Sequence, residues 1–372
     1  MATSVITSEL RYLPPIDLST VRNILSMVVE KKGSDMHLAV GYPPYIRIDG
    51  VLNAVGSIPL TKEDASRLIK ETMSEEYRKR VDQDLELDYG FSLGKIARFR
   101  VNAFYERGTL AGSFRLIPNQ IPTLEQLHMP KSIYYIPELT QGFVLITGPT
   151  GSGKSTTLAG IIEKINETQN RHIITIEDPI EYVYTPKKSF ISQRELEHDT
   201  KNWNIALKSA LRQDPEVVLI GEMRDFETIS AALTIAETGH LVFATLHTNS
   251  AAQSIDRIID VFPPHQQNQI RVQLANVLQA VVSQKLVSLK NGGREAVTEI
   301  LIANSAVRNL IREGKSYQID NVISTSTELG MITLEQSLVN LVREGKITAE
   351  EAQSYSLRPE EILKLLKLNK TF

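Results

Sequence analysis

The feature that most constrains this chain is Gly148-Pro149-Thr150-Gly151-Ser152-Gly153-Lys154-Ser155-Thr156. It fits the spacing G-x-x-x-x-G-K-[ST]. Before it, Gly142 to Thr147 (GFVLIT) predicts a buried strand; after it, Thr156 to Ile165 predicts a helix. Strand, glycine-rich turn and helix in that order let the backbone wrap an anion without Cβ clashes. Backbone N–H groups and the helix N-terminus then line a concave site. In such a loop Lys154 reaches the β- and γ-phosphates of ATP, and the Ser155 hydroxyl ligates Mg²⁺. The cofactor-binding candidates are Gly148, Thr150, Gly151, Ser152, Gly153, Lys154, Ser155 and Thr156. The plain alternative is a glycine-rich turn beside an ordinary helix, and the Lys-Ser pair after a strand argues against it.

The rest of the composition narrows the class by exclusion. With 372 residues the chain has room for two or three domains. Its formal charge of −3 sets up no strong field toward nucleic acid, although a local basic patch remains allowed. The absence of cysteine removes disulfides and thiolate zinc sites. No basic region followed by an apolar run opens the chain, and no apolar stretch approaches the length of a membrane span. The expectation is a cytoplasmic chain without direct membrane insertion, whose membrane association comes through a partner.

Two patterns follow one another along the chain. Residues 1–18, with Pro14-Pro15, suggest an extended lead-in, and Leu18 to Lys32 has helical spacing. Met36 to Val40 and Tyr45 to Ile48 are short strand candidates, broken by Gly41, Pro43-Pro44 and Asp49-Gly50. Thr61 with Asp64 marks a helix start, and Ser74 to Arg80 a second helical stretch. Leu85–Ser92, Ile96–Glu106 and Thr109–Ile117 alternate like antiparallel strands, with turns at Gly94-Lys95 and Arg107-Gly108. Pro118, Pro122 and Pro130 then suggest a linker or hinge. Beyond it, apolar runs at Phe143–Thr147, His172–Glu177, Glu216–Gly221 and Leu241–Leu246 alternate with helices, as in an α/β parallel sheet covered on both faces. A helical region is expected after that, with starts at Asn304 or Ser305 and at Thr348 with Glu351.

Several of these strands end in chemistry-bearing residues. Ile173 to Glu181 is a strand tipped by Glu177, Asp178 and Glu181, on the side where α/β sheets bind ligands. Beside a phosphate loop such carboxylates hold Mg²⁺ or orient an attacking water; taken alone they are an acidic loop in solvent. Val217 to Asp225 repeats the design and delivers Glu222, a second Mg²⁺ candidate beside Ser155. Arg224 and Asp225 are read equally well as a structural ion pair. His240 and His247 flank another strand, about 23 Å apart for seven extended residues, so both cannot touch one phosphate. His247, at the carboxyl end, is the better sensor; His240 is the packing or interface residue. His128, His198 and His265 are expected in loops or on solvated faces. Arg98 and Arg100 share a strand face with period two. With Arg115 they are either a solvated face or arginine fingers that reach a nucleotide across a boundary.

Ala306-Val307-Arg308-Asn309-Leu310-Ile311-Arg312-Glu313 is an amphipathic helix with Val307, Leu310 and Ile311 as its buried stripe. Arg308 and Arg312 lie four apart, where like charges cost a few tenths of a kcal/mol. A tolerated cost hints at an acidic partner; otherwise the face is simply solvated.

Together these motifs resemble the secretion and pilus ATPase superfamily, its pilus-retraction branch most of all. The resemblance runs from Gly33-Ser34-Asp35-Met36-His37-Leu38 to the helical end. Its most specific piece is Ala306–Glu313, similar to A-I-R-N-L-I-R-E with Val307 in place of Ile. Leu211–Glu216 leading to Gly221–Asp225 is similar to the superfamily signature, with Glu216 where Asp is usual. The resemblance implies a PAS-like α+β domain over 1–117, a linker or hinge over 118–130, and a RecA-like P-loop ATPase domain over 131–372 with a helical C-terminal part. It implies a homohexamer with Mg-ATP between domains, turning ATP hydrolysis into pilus retraction. The partners it implies are the pilus machinery and an inner-membrane platform protein reached through Ala306–Glu313, so that the chain sits peripherally at the membrane base of the pilus. Thr175–Glu181 corresponds to the family's Asp box, with Glu181 as the catalytic position. His240 with Leu241–His247 corresponds to its His box. Arg100 and Arg115 fall where nucleotide-reaching arginines are expected.

Four other readings compete. Extension and type II secretion relatives carry a tetracysteine zinc insert that this cysteine-free chain lacks. An accessory retraction ATPase shares most of the motifs. A RecA-like nucleic-acid translocase would share the loop and the ring, but near-neutral charge, one tryptophan and no aromatic–basic interleaving argue against a nucleic-acid partner. A scaffold that binds nucleotide without turnover has no use for Glu181 and Glu222.

Overall fold

The computed structural model describes residues 11–48, 50–94, 96–117 and 120–368. The lead-in over residues 1–10, Asp49 of the first strand break, Lys95 of the expected turn and Pro118 of the expected linker lie outside the described residues. The chain forms two compact units, residues 1–120 and 121–372.

In the first unit, β1 (Arg11–Leu13), α1 (Val21–Glu30), β2 (Asp35–Leu38), β3 (Tyr45–Ile48) and β4 (Val51–Val55) precede α2 (Lys62–Lys70) and α3 (Glu75–Asp84), and β5 (Glu86–Leu93), β6 (Ala97–Glu106) and β7 (Thr109–Ile117) close it. The described strands form one sheet in the order β1-β4-β3-β2-β7-β6-β5. Helix starts follow side-chain caps: Thr61 accepts the Asp64 N–H, and Ser74 accepts that of Tyr77. Alternation along β6 buries Ala97, Phe99, Val101 and Ala103 and leaves Arg98 and Arg100 on the half-exposed face. β1 and β4 have no counterpart among the expected strands.

The second unit is built on β8 (Gly142–Thr147), α4 (Lys154–Thr168), β9 (His172–Glu177), β10 (Phe190–Glu195), α5 (Trp203–Ala210), β11 (Val217–Ile220), α6 (Phe226–Glu237), β12 (Leu241–Leu246), α7 (Ala251–Asp260), α8 (Pro264–Val277), β13 (Leu278–Ser288) and β14 (Arg294–Ile302). α9 (Ser305–Arg312), α10 (Ile319–Thr325), α11 (Leu334–Arg343), α12 (Ala349–Tyr355) and α13 (Pro359–Leu368) complete it. Its sheet has the order β10-β9-β11-β12-β8-β13-β14, parallel except for the antiparallel β13–β14 pair. Every residue of β8, β11 and β12 is buried. Phe143, Leu145 and Val242 meet α5 to α8 on one face, and Val144, Ile146 and Phe243 meet α4 on the other. Each fully buried aliphatic side chain contributes about 1.5–3 kcal/mol, which is why continuous apolar runs belong here.

Two expectations change. The region after Leu246 is not wholly helical: β13 and β14 intervene and add two strands to the sheet. β13 carries buried Ser283 and Gln284 within its apolar run, and its pairing with β8 is made with residues far away in sequence. The segment expected as a linker is packed from Ile121 onward, because Leu124 and Met129 are buried in the core beneath α4. Among the described residues no helix is long and apolar enough to cross a membrane.

Candidate functional site

Parallel pairing puts the carboxyl ends of β8, β9, β11 and β12 on one edge of the sheet. That edge carries the glycine loop after Thr147, the acids after Ile176, Glu222 after Ile220 and His247 after Leu246. Gly221 is seated tightly there, since a Cβ would lie 3.2 Å from Glu177 Cα.

The loop turns through glycines at φ +145° (Gly148), +78° (Gly151) and +87° (Gly153), conformations that side chains oppose. α4 starts at Lys154, two residues before the expected Thr156, because Gly153 acts as its N-cap. No side chain caps this helix, which leaves its first N–H groups to a ligand. Ser152 Oγ is buried with no hydrogen-bond partner, in the loop where a phosphate would bring acceptor oxygens. Lys154 Nζ donates to the carbonyls of Gly148 (2.8 Å) and Pro149 (3.1 Å). Burial lowers the Lys154 pKa, and the charges of Glu222 and Glu181 oppose that shift.

Glu222 is held by Arg224 and His247. Arg224 donates to both of its carboxylate oxygens, at 2.7 and 2.8 Å, and His247 Nε2 lies 3.1 Å from Oε1. Burial pushes the Glu222 carboxyl up, but Arg224, His247 and Lys154 outweigh it and hold it below the ordinary value. Of the two readings of Arg224 and Asp225, the ion pair between them gives way: Arg224 pairs with Glu222, while Asp225 caps α6 by accepting the Thr228 N–H at 2.8 Å.

The three acids near β9 differ. The Glu177 residue keeps some surface exposed, yet its carboxyl is packed inside, and burial raises it to about 7 against hydrogen bonds from Thr175 (2.6 Å) and Gln193 (3.3 Å). Asp178 is exposed and its charge acts on Arg224. Glu181 is half-buried and acts on Lys154 and Glu177. Thr156 Oγ1 lies 3.0 Å from the Tyr182 hydroxyl, which ties the acidic segment to α4. The edge thus gathers Lys154, Glu181, Glu222 and His247 in one electrostatic neighbourhood.

His240 lies at the opposite end of β12, where Nδ1 donates to the Ile235 carbonyl at 3.0 Å and packs the end of α6. Arg100 and Arg115 belong to the first unit, where they pair directly across β6 and β7. Arg115 Nε also donates to Asp35 Oδ1 at 2.9 Å. Among the described residues no group of three or more His, Cys, Asp or Glu could hold a metal ion. A cation at Ser155 and Glu222 would therefore share its shell with phosphate oxygens and water, the usual manner of Mg²⁺.

Two further residues matter that sequence reasoning passed over. Gln284 of β13 donates from Nε2 to the Ser152 carbonyl at 2.7 Å and accepts the Thr157 hydroxyl at 2.9 Å. Nothing in the sequence around it forms a motif. Asn276 is the other, through its link to the arginine helix. Arg308 donates to the carbonyls of Ala275, Asn276 and Ala303, and Arg312 reaches Asn276 Oδ1 at 3.0 Å. Arg308 thus satisfies the last carbonyls of α8, whose dipoles offset the repulsion from Arg312. Neither a plain solvated face nor an acidic partner is needed to explain Arg308.

Residues 14–354 match the type II/IV secretion system protein family. The chain is similar to the type IV pilus retraction ATPase PilT of Pseudomonas aeruginosa, 46% identical over 340 residues, which is 91% of this chain and 99% of that protein. It is 50% identical over 320 residues to a twitching motility protein of Neisseria gonorrhoeae, 86% of each chain. A crystal structure of the pilus retraction motor PilT with bound ADP is similar at a TM-score of 0.87 and 43% identity, covering 93% of this chain and 99% of that one.

Proposed function

The chain belongs to the type II/IV secretion system protein family, and on that premise we propose that it is an ATPase whose hydrolysis powers type IV pilus retraction. The observation that carries the reading is the convergence of Lys154, Glu181, Glu222 and His247 on one sheet edge, in a chain similar over 91% of its length to a retraction ATPase. A RecA-like second unit and a PAS-like first unit are part of the proposal, as is a homohexamer.

The loop N–H groups and Lys154 hold the phosphates of ATP. Ser155 and Glu222 hold Mg²⁺, which supplies charge neutralisation on the phosphates when bound. Glu181 is the carboxylate best suited to orient water, being half-buried and felt by Lys154. Glu177 at about pKa 7 exchanges its proton near neutrality and so backs Glu181 rather than replacing it; Asp178 stays with Arg224. His247 joins Glu222 to the end of β12 and so couples the state of the phosphate edge to that strand. The work is delivered to pilus machinery at a cytoplasmic face, through a membrane platform protein contacted at the exposed residues of Ala306–Glu313.

Purified protein should hydrolyse ATP only with Mg²⁺, and native mass measurement should give a hexamer. Lys154→Ala should cut turnover roughly 100- to 1,000-fold. In cells, loss of the chain should leave pili that extend without retracting. Normal retraction in its absence would sink the pilus role, and ATP binding without turnover would leave only a scaffold.

A further inference from the structure

Ser283 and Gln284 are two buried polar side chains on β13, each 2% exposed, beside the point where β8 leaves the sheet. They face opposite sides of the sheet. Ser283 pairs in register with Thr147, and their hydroxyls meet at 2.8 Å. Gln284 turns toward α4 and the glycine loop. A buried amide is costly unless its donor and acceptor are both met, and both partners here come from the loop and the first turn of α4: the Ser152 carbonyl and the Thr157 hydroxyl. The carbonyl can only accept, so Nε2 must be the atom that faces it.

This contact has a directional consequence. The C=O of Ser152 and the N–H of Gly153 share one planar trans peptide and point opposite ways. Pinning the carbonyl toward β13 turns the Gly153 N–H away from β13, into the hollow of the loop. This peptide turns about ψ of Ser152 and φ of Gly153, and at Gly153, with φ +87°, glycine permits many backbone states that a contact must choose among. The fit is close: a Cβ on Gly153 would lie 2.8 Å from Gln284 Nε2, and one on Gly148 would lie 2.2 Å from the Gln284 carbonyl oxygen.

We propose that Gln284 is a positioning residue for nucleotide binding: its amide fixes the Ser152–Gly153 peptide so that the Gly153 N–H is presented to phosphate. This rests on the nucleotide-binding reading above. The test compares the full-length protein with Gln284→Met and Thr157→Val, measuring ADP affinity by calorimetry, kcat and KM for ATP, and thermal stability. Gln284→Met keeps the volume and removes the donor. It should weaken ADP binding and raise KM roughly 10- to 100-fold, with kcat within about 3-fold of the parent. Thr157→Val keeps the bond to Ser152 but frees the amide, and should weaken ADP binding about 3-fold. ADP affinity in Gln284→Met equal to the parent's, or a fall in kcat with KM unchanged, overturns the proposal. Should Gln284→Met fail to fold, Thr157→Val decides, and unchanged ADP affinity there overturns it. A parent protein that does not bind ADP would remove the functional reading and this inference together; parent binding with an unaffected Gln284→Met removes the inference alone.

Discussion

Glu222 and Glu299 are two carboxylates on the same sheet, one at the edge that carries the glycine loop and one on the outermost strand β14, and they are held in opposite ways. Arg224, His247 and Lys154 keep the Glu222 carboxyl below the ordinary range although burial pushes it up. Glu299 is 2% exposed, and burial pushes it to about 7. The Ala251 N–H, which it accepts at 2.7 Å, and Arg358 favour its charge, while Asp320 and Glu335 add to the burial effect. A carboxylate ringed by cations stays charged and available to a metal or phosphate site. One packed among other acids takes a proton near neutrality and serves as a tether, here for the start of α7. Depth and counter-charge together separate the two roles: burial dominates at Glu299, while at the less buried Glu222 the neighbouring charges outweigh it.

The sharpest way to break this comparison is Glu222→Gln, which preserves shape and removes charge. Turnover should fall roughly 100- to 1,000-fold with ADP binding retained, read in a steady-state ATPase assay and a parallel titration. Loss of only a few-fold would put Glu222 with the structural carboxylates.

Glu299→Gln probes the other side. The folded value of about 7 lies above the ordinary 4.5, so below pH 4.5 both folded and unfolded chains hold the proton and nothing is gained or lost. Between pH 4.5 and 7 the unfolded chain releases it first, and stability falls as pH rises. Above 7 the penalty is complete, at most about 3 kcal/mol. The glutamine oxygen can still accept from Ala251, so the variant should be more stable than the parent at pH 8, equal to it near pH 4.5, and flatter between. Denaturant melts at both pH values check this; a parent whose stability rises through that window would contradict the assignment.

The smallest effect is expected from His247→Gln, which removes the imidazole 3.1 Å from Glu222 Oε1. The Glu222 carboxyl should move up toward its ordinary value, so the acidic limb of the pH–rate profile shifts to higher pH. Turnover near pH 4 should fall a few-fold while turnover at pH 8 changes less. An unmoved acidic limb would mean that Arg224 and Lys154 hold Glu222 without help.

Much of the second unit was legible because parallel strands buried on both faces leave unbroken apolar runs, as at Phe143–Thr147, Val217–Ile220 and Leu241–Leu246. Caps were legible for a local reason: Thr348 and Glu351 form a reciprocal capping box three residues apart. β10 was hidden because Phe190–Glu195 is a half-exposed edge strand without a clean period. β13 was hidden by its inward Ser283 and Gln284, whose partners lie over a hundred residues away. The Arg224–Asp225 question stayed open in the sequence because the choice depends on Asp225 capping α6 and on Glu222 lying within reach of Arg224.

The sequence by itself determined the glycine loop, the acid-tipped strands and the likeness to a motor family, since each depends on neighbours within a few residues. Only the tertiary structure decided which acid is charged, which arginine caps a helix and which glutamine steers the loop. Those depend on the fields and hydrogen-bond partners that parallel pairing and helix packing bring together, and no local pattern encodes them.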